Sequence, residues 1–295
     1  MANYNLFDAA SLAMVPTGVK DGKLYSVKPD DGSGDFTFSR GSDRATRVNA
    51  DGLIEKKRTN LFKYSNTFTN DIWAGNATLT SGQVDKDGGT SAWLFAKDSA
   101  TNSDYYNEYF SGVQTFSIYV KKEAAKGIAI YNFNSGSTCT AVWDIETGTK
   151  IAQNSATIYS NLEEYNSNWW RFSMSVNVTS GRWYIYATDG TSNLTTDTLV
   201  LQNAQLNHGL IAQDYVATTT AAVVEGLTAD LPRLDYSGGA SCPSLLLEPE
   251  RTNLVTNSEY LEDHPSQDLT LTTNNSTSPE GVTNATLFEP TGTTA

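Results

Sequence analysis

Residues 169–178 read WWRFSMSVNV, and the order of large and small side chains in them decides the fold. Trp170, Phe172, Met174, Val176 and Val178 are apolar and alternate with Trp169, Arg171, Ser173, Ser175 and Asn177. A period of two places the first set on one face of a pleated strand and the second on the other. Trp169 and Arg171 are therefore expected to point away from the core. The alternation recurs in TFSIYV (115–120), where Phe116, Ile118 and Val120 share a face. Further strands are expected at GIAIYNF (127–133), TAVWDI (140–145), RWYIYA (182–187) and TLVLQNAQL (198–206). No stretch carries the 3.6-residue spacing of a long helix. Short antiparallel strands without crossover helices predict an all-β chain, its residues 51–220 forming a jelly-roll-like β-sandwich of two packed sheets.

Composition points the same way. Apolar residues make up 39% of the 295 and charged ones 18%, and the Thr-, Asn-, Gly- and aromatic-rich remainder suits strands and turns. A net charge of −13 argues against nucleic-acid binding, where Lys and Arg must displace counterions. No apolar run reaches the about 20 residues of a membrane span, so no membrane insertion is expected, and the start lacks the layout of a secretory signal. Cys139 and Cys242 lie far apart without neighbours at metal-ligand spacing, which reads as two unpaired thiols in a protein assembled in a reducing cytoplasm.

Ahead of the sandwich, residues 1–50 read as an extended, irregular arm, punctuated by Pro16, Pro29 and DDGSGD (30–35). Such a segment encloses no core and has to lie on something else. Its arginines Arg40, Arg44 and Arg47 read as anchors to acidic or carbonyl groups of neighbouring chains, with ordinary solvated charge the other reading. Residues 221–250, with two prolines and a glycine pair, read as a linker. Then the chain repeats itself. Arg58-Thr59-Asn60-Leu61 recurs as Arg251-Thr252-Asn253-Leu254, and at the same offset of 193 Gly88, Thr90, Ala92, Leu94 and Phe95 meet identical residues. Residues 251–295 are thus expected to begin a second, incomplete copy of the module. Either the natural chain continues past Ala295, the favoured reading, or this piece completes a sheet of another copy.

Catalytic signals are absent. Neither His208 nor His264 stands near a nucleophile motif, and no GxSxG, P-loop or HExxH occurs. No catalytic residue, metal or cofactor is expected. The oxygen-rich turns DKDG (85–88) and TDGTSN (188–193) lack EF-hand spacing and read as Asx turns. Binding fits better, because aromatic faces stack on sugar rings while polar side chains bond the hydroxyls. Candidates are Trp143, Trp169, Arg171, Trp183, Tyr184 and Tyr186, with Trp169 beside Arg171 as a stacking platform or as a ring covered by a loop.

FSRGSDRATRVNADGLIEKKRTNL, FSIYVKK, WDIETG, NWWRFSMSV and QNAQLNHG follow in an order that resembles a carbohydrate-binding-module-like domain of tailed-bacteriophage virion appendages. LPRLDYSGGASCPSLLLEPERTNL resembles the join between its copies. The resemblance implies a β-sandwich on a fibre, spike or head appendage, usually homotrimeric and joined to other virion proteins by its N-terminal part. It implies a virion location and a possible host surface glycan as partner. The family's GWYR-like motif falls on Asn168-Trp169-Trp170-Arg171, and its QLE ending stands here as Gln205-Leu206-Asn207. The first expectation is a structural fibre subunit. The alternative is the accessory binding region of a secreted glycan-degrading enzyme with a downstream catalytic domain.

Overall fold

The computed structural model describes residues 5–292 except 21, 41–44, 98, 100–103, 123–124, 135–136, 228, 230, 238–242, 250–251 and 256–257. Among these residues helix is confined to Leu6–Ala9 and a single 3-10 turn at Leu261–Asp263, so the chain is all-β. It folds as two compact units. One comprises Met1–Arg58, Val224–Leu254 and Ser278–Val282, and the other Thr59–Val223, Val255–Thr277 and Thr283–Ala295.

The first unit opens differently from the expected extended arm. Strands β1 (Ala13–Lys20), β2 (Lys23–Lys28) and β3 (Phe36–Thr37) form an antiparallel meander. The β1–β2 turn closes at Lys20 opposite Lys23, with Gly22 at φ +73°, the left-handed conformation that two-residue hairpin loops require. Pro16 lacks an N–H, which an edge strand such as β1 tolerates. Asp35 ties the meander together by accepting the Ser26 amide at 2.8 Å and pairing with Lys23 at 2.9 Å. A hairpin of β4 (Thr46–Val48) and β5 (Ile54–Lys56) follows, its turn held by Asn49 Oδ1, which accepts the amides of Asp51 and Leu53.

Strand β6 (Arg58–Asn60) leads into the sandwich, made of β7 (Trp73–Gly75), β8 (Thr78–Gln83), β9 (Ala92–Ala96), β10 (Asp104–Tyr106), β11 (Phe110–Lys121), β12 (Gly127–Asn134), β13 (Ser137–Asp144), β14 (Thr149–Gln153), β15 (Thr157–Asn166), β16 (Trp169–Thr188) and β17 (Leu199–His208). One sheet runs β15-β16-β11-β17-β9-β8 and the other β14-β13-β12-β16-β10-β7, antiparallel throughout. β16 belongs to both. Its first half pairs with β11 and β15, and from Gly181 to Thr188 it pairs with β12. WWRFSMSVNV and RWYIYA are thus one strand of 20 residues, not two. At the crossing, a Cβ on Gly181 would lie 2.0 Å from Asn132 Oδ1, so no larger residue fits.

Alternation places the core as the sequence required. Phe116, Ile118, Val120, Phe172, Met174 and Val176 are fully buried against Ile128, Ile130 and Ile185 of the facing sheet. Each contributes about 1.5–3 kcal/mol relative to exposure. Trp143 Nε1 crosses between the layers to Ser160 Oγ at 3.0 Å. Asn60 is buried with its amide fully used: Nδ2 donates to the carbonyls of Ala204 and Val216, and Oδ1 accepts from the amides of Phe62 and Leu206. The Cys139 thiol donates to the Ala156 carbonyl, and burial pushes its pKa up to about 11; Cys242 lies outside the described residues.

Beyond the sandwich come β18 (Val223–Glu225), β19 (Arg233–Asp235) and β20 (Ser244–Leu246). β19 pairs with β20, Arg233 donates to the Thr46 carbonyl and the Tyr236 amide to that of Val48. Most of the expected linker is therefore part of the first unit. The last hairpin, β21 (Leu269–Thr277) and β22 (Thr283–Pro290), copies β8–β9. Ser276 faces Ala285 as Gln83 faces Ala92. The Ser278 amide donates to Val282 and that of Gly281 to Ser278, as Asp85 donates to Gly89 and Gly88 to Asp85. Gly88 and Gly281 share positive φ, +87° and +80°. Burial differs: Phe62 and Phe95 lie in the core, whereas their counterparts Val255 and Phe288 are 52% and 46% exposed.

Candidate functional site

The outward faces of the two sheets carry the candidate side chains. On the sheet led by β14, register aligns Tyr105 of β10, Tyr184 of β16 and Tyr131 of β12 in one row across three strands. Residues two apart join them on the same face: Phe133 beside Arg182, and Tyr186 beside Ala129. The rings form a continuous belt. Tyr105 stacks on Tyr184 at 4.9 Å, Phe133 meets Tyr184 edge-on at 4.7 Å, and Tyr131 lies 4.9 Å from Tyr186. The Arg182 guanidinium caps one end, 4.4 Å from the Tyr109 ring and 5.0 Å from Tyr105. At the other end Lys97 Nζ sits 4.7 Å over Tyr186 and donates to the Ile185 carbonyl. Tyr109 and Phe133 are 59% and 39% exposed, so the belt presents aromatic surface to solvent.

The other outward face carries a cleft of about 220 Å³ lined by Tyr119, Glu163, Glu164, Tyr165 and Arg171. Tyr119, Arg171 and Glu163 are direct neighbours across β11, β16 and β15. Tyr165 meets the Tyr119 ring edge-on at 5.3 Å. Lys86 Nζ lies 4.6 Å from the Tyr165 centroid and 2.5 Å from Asp87 Oδ2, and the Tyr165 hydroxyl donates to Asp87 Oδ1 at 2.7 Å. Burial presses the Lys86 pKa down, but the bonds to Asp87 and Tyr165 outweigh it and raise it. Burial raises the Tyr119 pKa, so its hydroxyl keeps its proton. Arg171 Nη2 donates to Ser117 Oγ at 3.2 Å and to the Gln213 carbonyl.

These positions sort the sequence candidates. Tyr184 and Tyr186 belong to the belt and Arg171 to the cleft. Trp169 lies on the outward face as alternation required, yet it is only 2% exposed beneath Tyr119, Ala92 and Val200. Trp143 and Trp183 are 8% and 1% exposed on the inner face, Trp183 stacked on Phe116, so neither offers a ring to a ligand. Sequence reasoning missed Tyr105, Tyr109, Tyr131, Phe133 and Arg182. The alternation of 131 with 133 and of 182 with 184 was the available signal, but the row depends on strand pairing. Of the assembly candidates, Arg40 donates to the Leu227 carbonyl and Arg47 pairs with Glu55 at 2.8 Å, both within the first unit, and Arg44 lies outside the described residues. The Asp85 and Asp189 carboxylates of the two oxygen-rich turns serve their own loops, while Asp87 accepts from Lys86 and from the Tyr165 hydroxyl. Asp189 accepts from Thr191 and Asn193. Burial draws the Asp85 pKa up, but the Ser91 hydroxyl and the amides of Ser91, Asp87 and Gly89 bring it down to about 2.

The chain matches no protein-family description and no curated protein. Among solved structures, that of an exo-beta-agarase aligns with 53% of this chain at 12% identity and a TM-score of 0.29. The chain spans about a quarter of that structure's length, 26%.

Proposed function

We propose that this chain is a structural, adhesive subunit of a tailed-phage appendage, a tail or head fibre, whose sandwich attaches to glycans on the host surface. The observation that carries the attachment reading is the belt of Tyr109, Tyr105, Tyr184, Phe133 and Tyr131, with Arg182 stacked at its end. Aromatic rings supply apolar faces for sugar rings, and their hydroxyls and the guanidinium supply hydrogen bonds. The virion reading rests on the resemblance of the ordered motifs and on the repeated hairpin. In the first unit Leu6, Phe7, Tyr25, Val27 and Phe36 are 42–80% exposed, apolar surface suited to docking on other virion proteins and to homotrimer formation.

A glycan array probed with the purified chain tests attachment. Phe133→Ala together with Tyr109→Ala should weaken the strongest binding about tenfold. An array without signal at millimolar glycan rejects attachment. Immuno-electron microscopy of purified particles tests the location, and particles without label reject the virion reading.

A further inference from the structure

We propose that the cleft between Tyr119, Tyr165, Glu163 and Arg171 is a second binding site, for a single neutral sugar residue at the end of a glycan. This rests on the sandwich being glycan-binding, but it concerns the other outward face and other residues. Three groups in the cleft are uncommitted. Arg171 uses Nη2 for Ser117 and Gln213, which leaves Nη1 for the cleft. The Glu163 carboxylate lines it and makes no hydrogen bond or ion pair among the described residues. The Tyr119 hydroxyl keeps its proton and likewise makes no hydrogen bond among the described residues.

Glu163 and Arg171 are direct cross-strand neighbours, so an acceptor stands beside a donor. Two adjacent hydroxyls of a pyranose match that arrangement, one donating to Glu163 and the other accepting from Arg171 Nη1. The exposed Tyr165 ring forms an apolar wall. Charge selects against acidic sugars. Lys86 is paired with Asp87 and Lys122 with Glu164 at 3.2 Å, so the remaining Arg171 is balanced by Glu163. Size selects one ring, because about 220 Å³ lies below the roughly 300 Å³ at which drug-sized pockets begin.

Calorimetric titration of the whole chain with methyl hexopyranosides and their monodeoxy derivatives tests this. At least one neutral glycoside with adjacent hydroxyls should bind, and removal of either hydroxyl should cost about tenfold. Glu163→Gln, which keeps shape and fold, should cost about as much. A methyl uronoside should bind no better than its neutral parent. Absence of monosaccharide binding, or binding indifferent to Glu163→Gln, overturns the cleft site. If longer glycans then still bind through the belt, the attachment reading survives alone; if no glycan binds at all, both fall.

Discussion

Asn60 and Asn253 hold the same place in the repeated Arg-Thr-Asn-Leu stretch but not the same environment. Asn60 is sealed inside the sandwich with four hydrogen bonds, whereas Asn253 is exposed. Asn60→Ala strands two carbonyls and two amides, and it should destabilise the sandwich by on the order of 3 kcal/mol in chemical denaturation. Asn253→Ala should stay within about 0.5 kcal/mol, an internal control with the same chemistry. Asp85 makes a second residue-scale prediction. Its carboxyl is held at about 2 when folded, against about 3.9 in an unfolded chain. The stability it supplies is therefore complete above about pH 4 and lost as pH falls through 2. Asp85→Ser, the residue found at position 278, should flatten that acid limb in pH-dependent melting and leave the region above pH 5 with only a constant offset.

At the scale of elements, alternation made the inner faces legible: Phe116, Ile118, Val120 and the even-numbered residues of 170–178 all face the core. What alternation cannot give is pairing. The three-residue β10 is too short to carry a pattern, yet it contributes Tyr105 to the belt. Trp169 was legible in direction but not in cover, because Tyr119, Ala92 and Val200 come from three other strands. The meander at 13–37 was missed although Asp21-Gly22 is a hairpin signal, since Pro16, Pro29 and DDGSGD (30–35) suggested an irregular arm. Alternation reads 169–178 and 182–187 as separate strands, and the Thr179-Ser180-Gly181 stretch between them is instead a crossing between sheets within one strand. Gly181→Ala should accordingly cost about 1–3 kcal/mol or prevent folding, because the added methyl meets Asn132 in a packed interior. A melt unchanged within error would show that the two strands can part there.

For the whole molecule, charge and exposed apolar surface act in opposition. At neutral pH the repulsion from a net −13 opposes non-specific aggregation. Near the pI of about 4.5 that repulsion vanishes, while Leu6, Leu254 and Leu247 remain 80%, 88% and 74% exposed. Light scattering should therefore rise near pH 4.5 and fall again at pH 7.5, before any unfolding linked to Asp85 sets in at lower pH; scattering flat across that range would show the apolar side chains to be harmless. The strand common to both sheets has a mechanical consequence. Tensile load applied to Tyr184 passes along covalent backbone to Trp170 in the opposite layer, without having to cross the packed interior. Peeling one layer from the other would mean stripping hydrogen bonds along a continuous tether, so the two layers should yield under force as one body.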